Sequence, residues 1–77
     1  MPHIAIKMYP GRDEEKKKNL AEKTRDLVMK ELNMDAKYIS VSVEEVQQEK
    51  WESEVVDKIA EKDLYVKAAF LWKTYKY

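Results

Sequence analysis

The chain has no cysteine, one histidine, one glycine and one phenylalanine, and its fifteen basic residues cancel fifteen acidic ones. Without thiols there is no disulfide to staple the fold. With His3 as the sole imidazole, a Cys/His zinc site is excluded as well. A formal net charge of zero removes the bulk phosphate neutralisation on which nucleic-acid binding rests, and the charges are interspersed as on a solvated surface. No apolar run approaches the roughly 20 residues of a membrane span, and the first residues lack a signal-peptide pattern. The expectation is a cytoplasmic protein with no nucleic-acid and no membrane partner. A domain of about 60 residues buries only roughly 60% of its unfolded surface, so cores of this size are marginal. For 77 residues without staples, what remains is tight packing or self-association in a single domain over residues 1–77.

What is present is a clear order of periodicities. Residues 3–9 alternate: Ile4, Ile6 and Met8 point one way, and His3, Ala5, Lys7 and Tyr9 the other. This reads as a half-buried strand. Pro10-Gly11 breaks it. Asp13 is a candidate N-cap, with Glu14 and Glu15 favourably placed against the helix dipole. A helix is predicted to about Leu32, with Leu20, Thr24, Leu27, Val28 and Leu32 as its buried stripe and Lys16, Lys17 and Lys18 solvated outside it. Asn33 can close it in the left-handed conformation. Residues 38–46 alternate again, Ile39, Val41 and Val43 on one face and Ser40, Ser42 and Glu44 on the other.

Strand, long helix, strand predicts an α/β (β-α-β) unit with parallel strands. Two strands alone make a poor sheet with one face uncovered, so a second copy is expected to complete it. From residue 47 the chain reads as helical. Val55, Val56, Ile59 and Ala60 share one face, and Leu64, Ala68, Leu71, Trp72 and Tyr75 form a final amphipathic helix. Trp72, Tyr75 and Tyr77 read as packing or interface residues.

Four residues stand out as candidates for chemistry. Once Met1 is removed, Pro2 is a secondary amine on a fixed ring. An α-amino group has a reference pKa of about 7.7–8.0, and an apolar site lowers it. A neutral amine can take a proton and return it elsewhere. By composition alone, a strand-initiating proline is the stronger reading of Met-Pro. Arg12, between the Pro-Gly break and the helix, can bind a carboxylate bidentately, or it is a surface arginine. Trp51, after the polar run Gln47-Gln48-Glu49-Lys50, walls an apolar pocket or packs in a core. His3 lies on the strand face away from the helix and reads as a satisfied structural histidine.

Taken together, the opening Pro2-His3-Ile4-Ala5-Ile6-Lys7, the Pro10-Gly11-Arg12-Asp13 turn and the segment from Val46-Gln47 to Trp51 resemble the 4-oxalocrotonate tautomerase family. The similarity is greatest to its dimeric bacterial subgroup of small tautomerases. It covers residues 2–59 and implies short β-α-β subunits with a catalytic amino-terminal proline. Pro2 falls on that proline and Arg12 on the arginine that engages the substrate carboxylate. Trp51 falls on the active-site aromatic. The family's members acting on dicarboxylates carry a second arginine in the second strand, where this chain has Ser40. Loss of that cation implies a monocarboxylate substrate, such as an arylpyruvate enol, with Ser40 able to donate a hydrogen bond.

The resemblance therefore implies a cofactor-independent, metal-free tautomerase, an isomerase moving a proton between enol oxygen and carbon, assembled as a homodimer. The competing readings are a dehalogenase- or decarboxylase-type member of the same family, and a non-catalytic interaction module in which Pro2 only begins a strand. Residues 63–77 lie outside the resemblance and either cap the pocket or form the subunit contact.

Overall fold

The computed structural model describes residues 1–68. Its contacts gather into two units, Met1–Val46 and Gln47–Tyr77. In the first unit, β1 (His3–Met8), α1 (Glu14–Leu32), a 3-10 turn (Ala36–Tyr38) and β2 (Ser40–Glu45) follow one another. The two strands pair in parallel, His3 opposite Ser40 through Met8 opposite Glu45. Two backbone bonds extend the ladder: Ser40 N–H to the Pro2 carbonyl, 3.2 Å, and Val46 N–H to the Met8 carbonyl, 2.9 Å. The β-α-β unit read from the sequence is thus the observed one, and among the described residues its sheet has two strands and is not closed.

The caps of α1 are the ones its sequence predicts. The Asp13 carboxylate accepts from the Lys16 N–H at 2.8 Å, satisfying one orphan donor of the first turn. Asn33 takes the left-handed conformation (φ 51°, ψ 57°), and the Met34 N–H closes on the Met29 carbonyl at 3.0 Å, a Schellman ending. Between β1 and α1, Gly11 sits at φ +127°, a region that residues with a Cβ rarely adopt. That turn delivers Arg12 to the start of α1.

The stripe of α1 that meets the sheet differs from the expected one. Lys17, Ala21, Thr24, Arg25 and Val28 are half-buried, whereas Leu20, Leu27 and Leu32 are 37%, 58% and 55% exposed. Thr24 and Val28 hold; the three leucines do not. A two-stranded sheet is narrow and covers one strip of a helix. Ala21, with its small side chain, lies at the centre of that strip, and Leu20 and Leu27 fall about 100° round the helix from it.

Lys17 is also not the solvated residue expected. Its side chain is 19% exposed, and its ammonium bridges Glu14 on α1 (3.3 Å) and Glu45 on β2 (3.4 Å). The Glu14 hydrogen bond is the largest cause holding its pKa above the ordinary 10.5, opposed by partial desolvation and helped by Glu45.

In the second unit the expected helical segments are short. They are a 3-10 turn (Gln48–Lys50), α2 (Trp51–Glu54), and 3-10 turns at Val56–Lys58 and Glu61–Asp63. None has a side-chain cap. Ile59 and Ala60 are extended, and the β-branched Val55, Val56 and Ile59 are poor helix formers. Leu64 and Ala68, expected to begin the final helix, are not helical. Leu71, Trp72, Tyr75 and Tyr77 lie outside the described residues. Among the described residues, only Val46 in the first unit and Val56 in the second are buried.

Candidate functional site

Parallel pairing sets His3 opposite Ser40 and leaves Pro2 just ahead of the ladder. Pro2, half-buried, enters β1, and its carbonyl accepts from the Ser40 N–H. Ahead of it, Met1 is 94% exposed, so the bond that processing must cut is open to solvent. Next to Pro2, the His3 imidazole is held at both nitrogens: Nδ1 lies 2.7 Å from Ser40 Oγ and Nε2 3.2 Å from Ser42 Oγ. Ser42 Oγ in turn donates to Glu44 at 3.4 Å. His3 is therefore the satisfied histidine expected, on the sheet face that α1 does not cover.

Arg12 is exposed and makes no hydrogen bond or ion pair among the described residues. It is not brought to Pro2 within the chain. Pro2 precedes β1 and Arg12 follows it, and the six residues of the strand span about 20 Å. A small enol acid cannot bridge that distance. Trp51 belongs to the second unit, where it is half-buried and begins α2; its carbonyl accepts from the Val55 N–H at 2.8 Å. The structure thus joins Pro2 to Ser40 through one backbone hydrogen bond and sets Arg12 a strand's length from Pro2. Among the described residues no three His, Cys, Asp or Glu side chains group as metal ligands, and no helix is long and apolar enough to cross a membrane.

The family model described as "Tautomerase enzyme" matches residues 2–59. The chain belongs to the tautomerase family. The match accounts for the resemblance to the 4-oxalocrotonate tautomerases and spans both structural units of this tautomerase-family chain. "Tautomerase PptA" of Escherichia coli O127:H6 (strain E2348/69 / EPEC) is 39% identical over 54 residues, covering 69% of this chain and 72% of that protein. A protein of the same name from Shigella sonnei (strain Ss046) is 37% identical over 54 residues, with the same coverage of 69% and 72%. "Probable tautomerase" of Xylella fastidiosa (strain 9a5c) is 36% identical over 55 residues, covering 71% of this chain and 67% of that protein. Membership supports an isomerase of the tautomerase kind.

The sequence did not reveal the hydrogen-bonded ladder His3–Ser40–Ser42–Glu44. Its alternation placed the three β2 residues on one face. The pairing that sets His3 opposite Ser40 is a long-range property.

Proposed function

We propose that the chain, once Met1 is removed, is a cofactor-independent tautomerase that moves a proton between enol oxygen and carbon of a monocarboxylate 2-oxo acid. An arylpyruvate enol fits this class. The observation that carries this reading is the family match, which begins at Pro2. The neutral Pro2 nitrogen takes the enol proton, and the prolyl ammonium returns it to carbon, so the substrate is isomerised and the enzyme is unchanged. Arg12 binds the carboxylate as a bidentate partner and stabilises charge developing on the conjugated oxygen. Trp51 supplies an apolar wall that excludes water and keeps the amine neutral. Ser40 stands beside Pro2 without a cation of its own, which favours one carboxylate over two.

Arg12 reaches a substrate at Pro2 only from a second copy of the chain, because β1 separates the two in one copy. A homodimer also covers what the fold leaves open. The Leu20–Leu27 flank of α1 is exposed, and the first unit holds a single buried residue, Val46. We place that flank in the dimer contact. The family match spans both units, which favours one functional domain over residues 1–77. A small acid and a second copy are then the partners, in a cytoplasmic setting.

The test is ketonisation of phenylpyruvate enol by protein whose intact mass shows Met1 gone. Retention of Met1, which makes the Pro2 nitrogen an amide and so removes the base, is expected to cost about 10²–10⁴-fold in rate. Processed Pro2→Ala keeps a primary α-amine in place of the secondary one and is expected to retain more activity than protein that keeps Met1. Equal activity in the processed protein, the unprocessed protein and Pro2→Ala would remove Pro2 from the reaction.

A further inference from the structure

We infer that His3 is a positioning residue that fixes the polarity of Ser40, turning its oxygen lone pairs rather than its proton outward beside Pro2. The open sheet face thereby discriminates against a second carboxylate. This rests on the reading of Pro2 as the reaction centre.

The argument is a count of protons along the ladder. A carboxylate such as that of Glu44 can only accept. Ser42 therefore spends its single proton on Glu44 (3.4 Å). Having done so, Ser42 can only accept at its contact with His3 Nε2 (3.2 Å), so Nε2 carries the imidazole proton. A neutral imidazole has one N–H, which leaves Nδ1 as an acceptor. Across the short 2.7 Å contact, Ser40 then donates its proton to Nδ1.

The chain of donors runs one way, from Ser40 through His3 and Ser42 to Glu44. Its near end lies next to Pro2, whose carbonyl the Ser40 backbone N–H holds. With its proton committed inward, the Ser40 oxygen offers lone pairs to whatever binds there. A hydroxyl or N–H of the substrate is welcomed, and a second carboxylate meets oxygen against oxygen. Besides Glu44, the charged side chain on this face is Lys7, paired in register with Glu44 at the far end of the sheet from Pro2.

Reversing the last link should reverse the first. In Glu44→Lys the terminal group can only donate, so Ser42 accepts from it and turns its own proton to Nε2. His3 then carries its proton on Nδ1, and Ser40 accepts there and points its proton outward. The chain has one histidine, so a long-range ¹⁵N–¹H correlation spectrum of the processed protein reports one ring, recorded at a pH where imidazole is neutral. The expected result is the Nε2–H tautomer in the natural chain and the Nδ1–H tautomer in Glu44→Lys.

Binding of phenylpyruvate and 4-carboxyphenylpyruvate, titrated by the same method, reads the specificity. The natural chain should prefer the monoacid. Glu44→Lys should shift the ratio toward the diacid by about fivefold more than the same change made in a Ser40→Ala background, a difference of about one hydrogen bond. The background removes the bulk effect of the new charge. An unchanged tautomer, or an equal shift with and without Ser40, overturns the inference. If the natural chain binds neither acid, the carboxylate-site reading falls and takes the specificity with it, while the tautomer reversal still reports the ladder. Binding intact with no tautomer reversal overturns the ladder alone.

Discussion

Leu27 is 58% exposed in the isolated chain, yet it belongs to the apolar flank placed in the dimer contact. Burying a whole leucine is worth about 1.5–3 kcal/mol. A twofold contact buries the exposed part of Leu27 twice, so the two copies together contribute about 2–3.5 kcal/mol. Leu27→Asp forfeits this and adds the desolvation of two carboxylates. The dimer dissociation constant should therefore rise by at least about 30- to 400-fold. Sedimentation equilibrium over a concentration series measures it, with circular dichroism to show that the helix persists. Leu32→Asp is the control. Leu32 is equally exposed at 55%, but it lies in the last turn and off the Leu20–Leu27 flank. It should leave the dimer intact. A dissociation constant unchanged in Leu27→Asp, or raised equally by both variants, would refute the assignment of this flank.

Three further outcomes follow from local geometry. Gly11→Ala meets no atom within 4 Å of the new Cβ, so its cost is backbone strain alone at φ +127°. It should lower stability by about 1–3 kcal/mol in urea unfolding with an unchanged m-value. Asp13→Ala removes the acceptor of the Lys16 N–H and should cost about 0.5–2 kcal/mol by the same assay, with Asp13→Asn retaining most of it. Lys17 has its pKa raised in the fold, chiefly by Glu14. Its ion pairs therefore stabilise fully below the ordinary 10.5, and that stability is lost as pH rises through the higher folded value. The melting-temperature gap between the natural chain and Lys17→Met should narrow in that alkaline range, and a gap constant across it would contradict the bridge.

What the sequence made legible was local. Asp13 and Asn33 cap α1 through bonds made within a few residues, and the two strands show their faces because their period is two. Whole-molecule features were less readable. Leu20 and Leu27 outrank Lys17 and Ala21 in hydrophobicity, so pattern alone assigns them to the sheet-facing stripe. The sheet is too narrow to reach them, and half-buried Lys17 satisfies its charge on Glu14 and Glu45 instead. Beyond Gln47, apolar spacing suggested a helix. β-branched residues and missing caps gave short turns instead.

The candidate site divides the same way. Pro2, Arg12, Ser40 and Trp51 could be named from residue type and resemblance. That the Ser40 N–H bonds the Pro2 carbonyl follows from parallel register, and that Arg12 stands a strand's length away follows from β1 itself. Neither relation is written in the spacing of the residues.

The central claim is that Pro2 of one copy works with Arg12 of another. Mixing separately inactive Met1-retaining and Arg12→Ala proteins, unfolding them together and refolding them tests it most directly. Half the dimers formed at equal ratio are mixed, and each mixed dimer holds one of its two sites with a free Pro2 amine and a natural Arg12. The account predicts recovery to about one quarter of natural ketonisation activity, counted from the twofold symmetry of the dimer. If both residues act within one copy, every site in the mixture lacks one of them, and activity that stays at the level of the separate variants would contradict the account.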